Sequence, residues 1–378
     1  MNQKGNIYII AENILYGSAV TNRLLAYARG FKEYGVSSEI LALRGYAPLD
    51  YKQEEGFRMR GCFATKCGHK LFRLLASYIY VLYFTIFRLK KTDVVILYGC
   101  LEYIQLFLIF GRCKVYQERT ENPEVVSSRL LSLPKYLKLC RNLDGMFVIS
   151  RPLKRYFTNA GVEENKIHII NMIVDPSRFT NVPVDTSQGK YIAYCGNIWD
   201  DTKDGVSELL KSFAKYHHEY PDRKLYIAGP IKSQRQKEIY EQFANVNGIG
   251  SSVVFMGLVS PNEMPKLLAN AEMLMLTRPN NKQAEFGFPT KLGEYLLTKR
   301  PVVVSRVGDI DAFLTDGDNA LLAEADNVDD IVTKMLWVSK NPIEASELGA
   351  KGHDCAMDNF NNIIEAGKIL QAIGYNIN

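Results

Sequence analysis

The side chains best suited to chemistry lie in one run of the sequence, EFGFPTKLGEYLLTKRPVVV at positions 285–304. Pro289, Thr290 and Lys291 open a predicted helix, and Glu294 lies one turn further along it. The free N–H groups and the positive dipole end of a helix N-terminus suit a phosphate group. A carboxylate one turn inside the helix can accept hydrogen bonds from a ribose diol. The pattern therefore predicts half of a site for a nucleotide sugar.

The elements around this run alternate between strand and helix. Directly after the helix, the apolar run 302–304 is typical of a buried parallel strand, and a loop with Gly308 follows it. The same order begins at a first predicted strand, 7–11, and begins again at 191–195 after a polar, irregular linker at 171–185. Alternating strands and helices form parallel sheets covered by helices. We therefore predict an α/β fold with two Rossmann-like domains facing each other across a cleft.

Length and composition are those of a soluble, two-domain globular protein, with 378 residues, 47% hydrophobic and 23% charged. A net charge of +5 suits anionic small molecules or a lipid surface, and it does not indicate a nucleic-acid partner. Seven irregularly spaced cysteines without a CxxC pair favour reduced thiols in a cytosolic protein. The N-terminal residues run straight into a strand, so we expect no secretory signal and a cytoplasmic location.

One segment, KCGHKLFRLLASYIYVLYFTIFRLKK at 66–91, differs from the rest in its apolar content. Its uncharged run at 74–87 is 14 residues long (87 − 74 + 1), whereas a spanning helix needs about 20. Arg73 precedes the run and Arg88 follows it, so basic residues flank an apolar helix. We expect a core helix. The alternatives are an interfacial contact, which would place the protein peripherally on the inner face of a membrane, and a membrane span.

The second half contains four motifs in a fixed order. They are YCGN at 194–197 with KDG at 203–205, LYIAG at 225–229, VFMG at 254–257 with EMP at 263–265, and FPTKLGEY at 288–295 with PVV at 301–303. In this order they resemble the retaining glycosyltransferases of group 1 (family four), which have the GT-B fold. The join at 169–179 resembles the domain linker of that family. The resemblance covers about residues 140–325 and is weaker over the first hundred or so.

The resemblance implies a division of labour between two domains. Residues 1–172 would form an N-terminal, acceptor-side Rossmann-like domain, and 173–357 a C-terminal domain that binds the nucleotide sugar. A C-terminal helix within 358–378 would cross back to the N-terminal domain. The acceptor-side residues implied, or placed by their strand ends, are Tyr16, Gly17, Ser18, Tyr98 and Glu118.

The resemblance also implies roles for single residues. Lys203 would face the donor diphosphate and stabilise charge on the leaving group, Glu294 would bind ribose hydroxyls, and Lys291 would add a charge near the phosphates. The donor-binding residues implied are Gly196, Asn197, Lys203, Gly229, Arg278, Gly287, Phe288, Pro289, Thr290, Lys291, Leu292 and Glu294. The residues assigned to catalysis are Lys203, Glu285 and Glu294.

The sequence departs from the family pattern at three places. Asn197 stands where the family usually has an arginine beside the diphosphate. The first glutamate of the family's E-x7-E element should lie at 286, where this chain has Phe286, and Glu285 is displaced by one position. The family often has a histidine after the strand that ends near Tyr98, and none of the five histidines lies there. These departures make the diphosphate site the stronger prediction and the sugar contacts the weaker one.

The chemistry implied is retaining glycosyl transfer through an oxocarbenium-like state, with the leaving phosphate accepting the acceptor's proton. No Asp-x-Asp metal motif occurs, and we read Asp200-Asp201 and Asp329-Asp330 as helix caps. We expect no metal and no cofactor, because the nucleotide-diphosphate sugar is a substrate. The acceptor would be a saccharide or a lipid-linked molecule in surface polysaccharide or glycolipid biosynthesis.

Two other functions stay open. A nucleotide-sugar epimerase on the same fold would need histidines near these motifs, and the five histidines lie elsewhere. A non-catalytic homologue that binds nucleotide or a partner enzyme would fit the departures at Asn197 and Phe286.

Overall fold

Two series of alternating strands and helices build two separate parallel sheets in the computed structural model. The structure describes residues 5–47, 56–125, 130–185, 187–196, 198 and 201–377, with the backbone alone for Thr202. Unit 1 comprises residues 1–174 and 362–378, and unit 2 comprises residues 175–361. The sequence placed the corresponding boundaries after 172 and after 357. The chain thus passes between the units twice.

Unit 1 contains a seven-stranded sheet in the order β3-β2-β1-β4-β5-β6-β7, and each pair of neighbours is parallel. The strands are β1 (Ile7–Leu15), β2 (Ser38–Ala47), β3 (Phe57–Gly61), β4 (Val94–Tyr98), β5 (Lys114–Arg119), β6 (Gly145–Val148) and β7 (Ile167–Ile169). Apolar side chains fill both faces of β1 and β4, as in a sheet covered by helices on two sides.

The helices of unit 1 cover this sheet. They are α1 (Ala19–Glu33), α2 (Lys70–Tyr83), α3 (Ile104–Phe110), α4 (Leu133–Cys140), α5 (Arg151–Asn159) and, at the end of the chain, α14 (Asn362–Ala372). Helix α14 packs closely on α1 because Gly30 has no side chain; a Cβ there would overlap the Asn362 carbonyl and the Ala366 side chain. Ile369, Leu370 and Ala366 of α14 complete the core of unit 1.

Unit 2 contains a six-stranded parallel sheet in the order β10-β9-β8-β11-β12-β13. Its strands are β8 (Tyr191–Cys195), β9 (Lys224–Ala228), β10 (Val253–Gly257), β11 (Met273–Leu276), β12 (Val302–Arg306) and β13 (Leu321–Glu324). Its helices are α6 (Asp201–Asp204), α7 (Val206–Glu219), α8 (Gln234–Val246), α9 (Met264–Ala269), α10 (Lys282–Phe286), α11 (Lys291–Leu297), α12 (Val328–Lys340) and α13 (Pro342–Asn359).

The end of the chain forms two helices, because α13 ends at Asn359 and α14 begins at Asn362, within the predicted range 358–378. Phe360 is fully buried against Phe288 and Phe313, with ring centroids 5.6 Å and 5.0 Å apart. This aromatic cluster holds the end of α13 on unit 2 just before the chain returns to unit 1.

The expectation that residues 66–91 form a core helix is wrong. Only Ser77, Tyr80 and Val81 are buried in α2, and 28% of its most apolar window lies inside the structure. The helix continues through a π-helical turn at Phe84–Arg88, and this stretch of 19 residues has a mean hydropathy of 1.4. By length and composition it is the one helix of the described residues that could cross a membrane.

Candidate functional site

The order of strands in unit 2 fixes where a ligand can bind. From β8 the chain adds strands on one side, up to β10, and then returns to add β11, β12 and β13 on the other side. Ligands of open parallel sheets bind at this reversal point, beyond the carboxyl ends of the strands. Gly196 follows β8 directly, and Thr277 and Arg278 follow β11. The topology therefore brings two separate parts of the predicted site, Gly196 and Arg278, to one edge.

Lys291 is the best-defined cation at this edge. Its Nζ donates to Asp204 Oδ1 at 2.6 Å and to the Tyr194 hydroxyl at 3.0 Å, and it lies 4.7 Å from the centre of the Tyr194 ring. Asp204 is 4% exposed, and its Oδ2 has no hydrogen-bond partner among the described residues. Burial raises the pKa of Tyr194 well above its ordinary value, so the phenol stays protonated. The ammonium is held by two groups and has a third N–H donor.

Two glycines allow the loops of this edge to approach each other. A Cβ at Gly196 would overlap the Lys291 ammonium and the Tyr194 hydroxyl. Gly229, after β9, has φ +131 and a Cβ there would overlap the Gly196 carbonyl oxygen. The Gly196 N–H donates to the Ala228 carbonyl at 2.8 Å. The two motif glycines are therefore required by steric packing around the lysine.

Lys203 lies beside Asp204 on the short helix α6 and is partly exposed. Asp201, on the same helix, accepts from the Ser207 backbone at 2.9 Å and from the Ser207 hydroxyl at 2.6 Å. This carboxylate therefore fixes α6 against the start of α7. Asn197 lies outside the described residues, as does Asp200.

Glu294 forms an ion pair with Arg178 that the sequence did not predict. Both side chains are about one-fifth exposed, at 18% and 19%. Arg178 lies on the turn Pro176–Phe179, where Asp175 caps the backbone of Ser177 at 3.0 Å. The only sequence signal for Arg178 was the likeness of 169–179 to the family's linker. The carboxylate assigned to ribose is therefore paired with a guanidinium in this structure.

The segment before α11 contains both buried and exposed side chains. Phe288 is 6% exposed and packs edge-on against Phe313 at 5.5 Å, so its ring is part of the core. Glu285 is exposed on α10. Pro289 and Leu292 are buried, and Thr290 precedes α11 without a side-chain cap. The backbone N–H of Gly287 donates to the Gln283 carbonyl at 3.1 Å, so it is engaged within α10.

Arg278 is 8% exposed, and its backbone N–H donates to the Ser305 hydroxyl at 3.0 Å. Among the described residues, no group of three or more His, Cys, Asp or Glu side chains could hold a metal ion. Asp329 and Asp330 lie in the first turn of α12, but the cap of that helix is Asn327. Reading this pair as the cap is therefore wrong by two residues.

In unit 1 the strand order reverses between β1 and β4, so Tyr16-Gly17-Ser18 and Tyr98 come to one edge. Ser18 caps α1 by accepting from the Thr21 backbone at 3.2 Å, and Gly17 has φ +70. Tyr98 lies 3.2 Å from the Thr120 hydroxyl, and burial raises its pKa to about 12. These are the groups that unit 1 presents near its reversal point.

Glu118 is not the open carboxylate that the sequence suggested. It is 2% exposed, and its Oε1 accepts from Arg23 Nε at 2.5 Å and from the Tyr27 hydroxyl at 2.6 Å. Arg23 is itself 4% exposed. Sequence reasoning missed this pair because the partners are 95 positions apart. Glu118 thus stabilises the interior of unit 1 rather than facing a ligand.

Residues 189–341 match the family model described as "Glycosyl transferases group 1". This part of the chain, 153 of the 378 residues (341 − 189 + 1), is similar to the group 1 glycosyl transferases. It includes every predicted donor-binding residue, from Gly196 to Glu294. No curated protein sequence matches the chain significantly.

Solved structures share the fold over the whole chain. HepE of Anabaena, solved with UDP and glucose, superposes with a TM-score of 0.77 at 14% identity, covering 98% of this chain and 99% of that one. TarM of S. aureus, solved as a variant with UDP, has a TM-score of 0.75 at 12% identity, covering 98% and 100%. Sucrose-phosphate synthase of Thermosynechococcus elongatus superposes with a TM-score of 0.73 at 15% identity, covering 97% of this chain and 98% of that one. The chain therefore has the GT-B fold, and the predicted resemblance to the group 1 glycosyl transferases is confirmed over residues 189–341.

A substitution at Gly229 tests whether glycine is required by steric packing at the reversal point of the unit 2 sheet. We expect Gly229→Ala to lower the free energy of unfolding of unit 2 by about 1–3 kcal/mol, because the added Cβ overlaps Gly196. Gly248→Ala is the matched control, since Gly248 also has positive φ (+71) but no atom within 4 Å of its Cβ position. Tryptophan fluorescence during urea unfolding measures both, because Trp199 and Trp337 belong to unit 2. Equal losses in the two variants would contradict the overlap.

Proposed function

We propose that the protein transfers a sugar, with retention of configuration, from a nucleoside-diphosphate sugar held by unit 2 to a saccharide or lipid-linked acceptor. The observation that carries this proposal is the Lys291 ammonium held by Asp204 and Tyr194 at the reversal point of the sheet. In a family of glycosyl transferases, a positioned cation with a remaining N–H donor suits a diphosphate.

The cations around this edge suit a leaving diphosphate. In the proposed mechanism Lys203 and Arg278 join Lys291 in neutralising charge as the bond to the anomeric carbon breaks. The leaving phosphate accepts the proton of the incoming hydroxyl on the same face of the sugar. Neither a metal nor a cofactor takes part in this proposal. HepE was solved with UDP and glucose, so UDP-glucose is the first donor to test.

The acceptor and location are further parts of the proposal. We place the reaction in surface polysaccharide or glycolipid biosynthesis, in the cytoplasm. The cysteines support a reducing compartment: all seven are free thiols in the structure. The edge of unit 1 that carries Tyr16, Ser18 and Tyr98 is the proposed acceptor side.

One observation favours a second candidate, a non-catalytic homologue that binds nucleotide. Arg178 already pairs with Glu294, so a ribose must compete with a guanidinium for that carboxylate. If the ion pair persists when nucleotide is bound, sugar transfer loses a contact that it needs. No comparable observation favours the epimerase.

A donor-hydrolysis assay separates these candidates. The full-length protein is incubated with UDP-, GDP- and dTDP-sugars, with and without EDTA and a lipid-linked acceptor, and released nucleotide is measured. We expect turnover of at least one donor, unaffected by EDTA, and a product whose NMR spectrum shows the donor's anomeric configuration. Nucleotide binding without turnover of any donor would support the non-catalytic homologue instead.

A further inference from the structure

An exposed apolar stripe runs along α2 and the turn Phe84–Arg88. Its members recur every three or four residues on one side of the helix, as in an amphipathic helix. The exposed side chains are Leu71, Phe72, Leu75, Ile79, Leu82, Tyr83, Ile86 and Phe87. Phe72 is 65% exposed and Phe87 is 72% exposed, so both rings lie on the surface rather than in the core.

The opposite side of the same helix is fixed to unit 1. Phe84 packs edge-on against Tyr8 of β1, with ring centroids 5.1 Å apart. The Tyr80 hydroxyl accepts from Arg60 at 3.2 Å, and the Ser77 hydroxyl lies 2.7 Å from that of Tyr103. Because one side is packed along its length, the helix cannot leave the unit to cross a bilayer without losing these contacts. Its free side can only lie against a surface.

Neighbouring elements of unit 1 extend the stripe. Phe63 is 50% exposed and packs on Tyr80 at 5.7 Å. At the end of α3, which packs against α2, Ile109 is 59% exposed and Phe110 41%. Together, the stripe of α2 with residues 84–87, Phe63 and these two residues form what we call the apolar face. Contiguous exposed apolar patches of this kind mark interaction surfaces.

The stretch of sequence that carries most of the apolar face has charges of a single sign, although Arg60 pairs with Glu39 of β2. Between 57 and 92 the sequence contains no Asp or Glu and eight basic residues. They are Arg58, Arg60, Lys66, Lys70, Arg73, Arg88, Lys90 and Lys91. The whole chain carries +5, so the rest carries −3 (5 − 8). Lys66, Lys70, Arg88, Lys90 and Lys91 are exposed.

This combination selects one kind of partner. A second copy of the chain on the same face would bring two sets of exposed cations together, which like-charge repulsion opposes. A neutral protein groove would leave the cations without partners. An anionic bilayer surface satisfies both features, because its headgroups pair with the basic rim while the apolar side chains enter the acyl boundary.

We infer that the apolar face is a docking surface for an anionic lipid bilayer, with α2 lying in the plane of the interface. The face is joined to the reversal-point edge of unit 1 by polar contacts. Tyr103, bonded to Ser77, accepts from Arg44 Nε at 2.7 Å, and Arg44 Nη1 pairs with Glu12 at 3.2 Å. If the proposed function holds, this link places a lipid-linked acceptor beside the edge where transfer occurs.

Vesicle flotation with the full-length protein tests the inference. Vesicles of phosphatidylcholine alone are compared with vesicles containing phosphatidylglycerol, at low and high salt. We expect binding to the anionic vesicles that weakens with salt. Lys70→Glu/Lys90→Glu/Lys91→Glu should lower the partition coefficient at least about 100-fold, since each cation near an anionic surface contributes about fivefold. Phe72→Ser/Ile79→Ser/Phe87→Ser should lower it by a similar factor.

The control variant is Val246→Ser/Ile343→Ser, which removes apolar side chains that are 79% and 73% exposed in unit 2. Its binding should equal that of the unaltered protein. Full recovery of the unaltered protein in the soluble fraction with every vesicle would overturn the inference. So would a dimer by light scattering that the Phe72 triple variant dissociates. Hydrolysis of a soluble donor should be unchanged in all variants, so loss of docking and loss of the proposed activity are separate results.

Discussion

Replacing Lys203 with alanine is expected to lower kcat about 100- to 1,000-fold while changing donor KM little. A cation that meets the diphosphate mainly as it departs stabilises the transition state more than the bound donor. Steady-state kinetics with the donor identified by hydrolysis measure the split between kcat and KM. Lys203→Arg should recover part of the rate, because the positive charge is retained.

Lys211→Ala is the matched control for this loss of a lysine. Lys211 lies on α7, is about half exposed and pairs with Glu208 three positions away. Its removal should leave both kinetic constants unchanged. If neither kcat nor KM changes in Lys203→Ala, Lys203 is not part of the site. If KM rises while kcat is unchanged, its role is limited to donor binding.

Replacing Glu118 with alanine is expected to destabilise unit 1 by about 3–5 kcal/mol, because it leaves the buried Arg23 guanidinium without its counter-charge. Both side chains are almost completely buried, at 4% and 1%, so solvent cannot compensate. Hydrogen exchange of the β5 amides measures this loss directly, because β5 carries Glu118. Tryptophan fluorescence would not detect it, since both tryptophans belong to unit 2.

A double variant separates charge from packing. Arg23→Met/Glu118→Leu removes both charges and keeps apolar volume, so it should recover most of the lost stability. If the double variant is as unstable as Glu118→Ala, the shape of the site rather than its charge balance accounts for the loss. Donor hydrolysis in unit 2 is not expected to depend on Glu118 at temperatures where unit 1 stays folded.

The sequence was most informative where local patterns decide structure. Apolar runs predicted strands at 191–195 and 302–304, and the structure has β8 (Tyr191–Cys195) and β12 (Val302–Arg306) there. The motif around Lys291 indicated a cation at the reversal point because strand and helix order alone bring it there. These features depend on spacing over tens of residues.

Features that depend on distant partners could not be predicted. Arg178 and Glu294 are 116 positions apart, and nothing in either neighbourhood indicates the other. Strand β3, Phe57–Gly61, is only five residues long, and its place in the sheet depends on its pairing with β2. The hydrophobic content of α2 indicated an apolar helix. The side that packs on unit 1 is set by contacts with Tyr8 and Arg60, which lie elsewhere in the chain.

The two passages of the chain between units lie next to each other, since the Asn362 N–H donates to the Val174 carbonyl at 2.9 Å. Topologically, unit 2 is therefore an insertion into a continuous host. Joining 174 to 362 through a short glycine linker would close unit 1 around its own complete sheet, with α14 as its final helix. If unit 2 binds the donor as proposed, recombination at these two points would exchange sugar specificity and leave unit 1 unchanged.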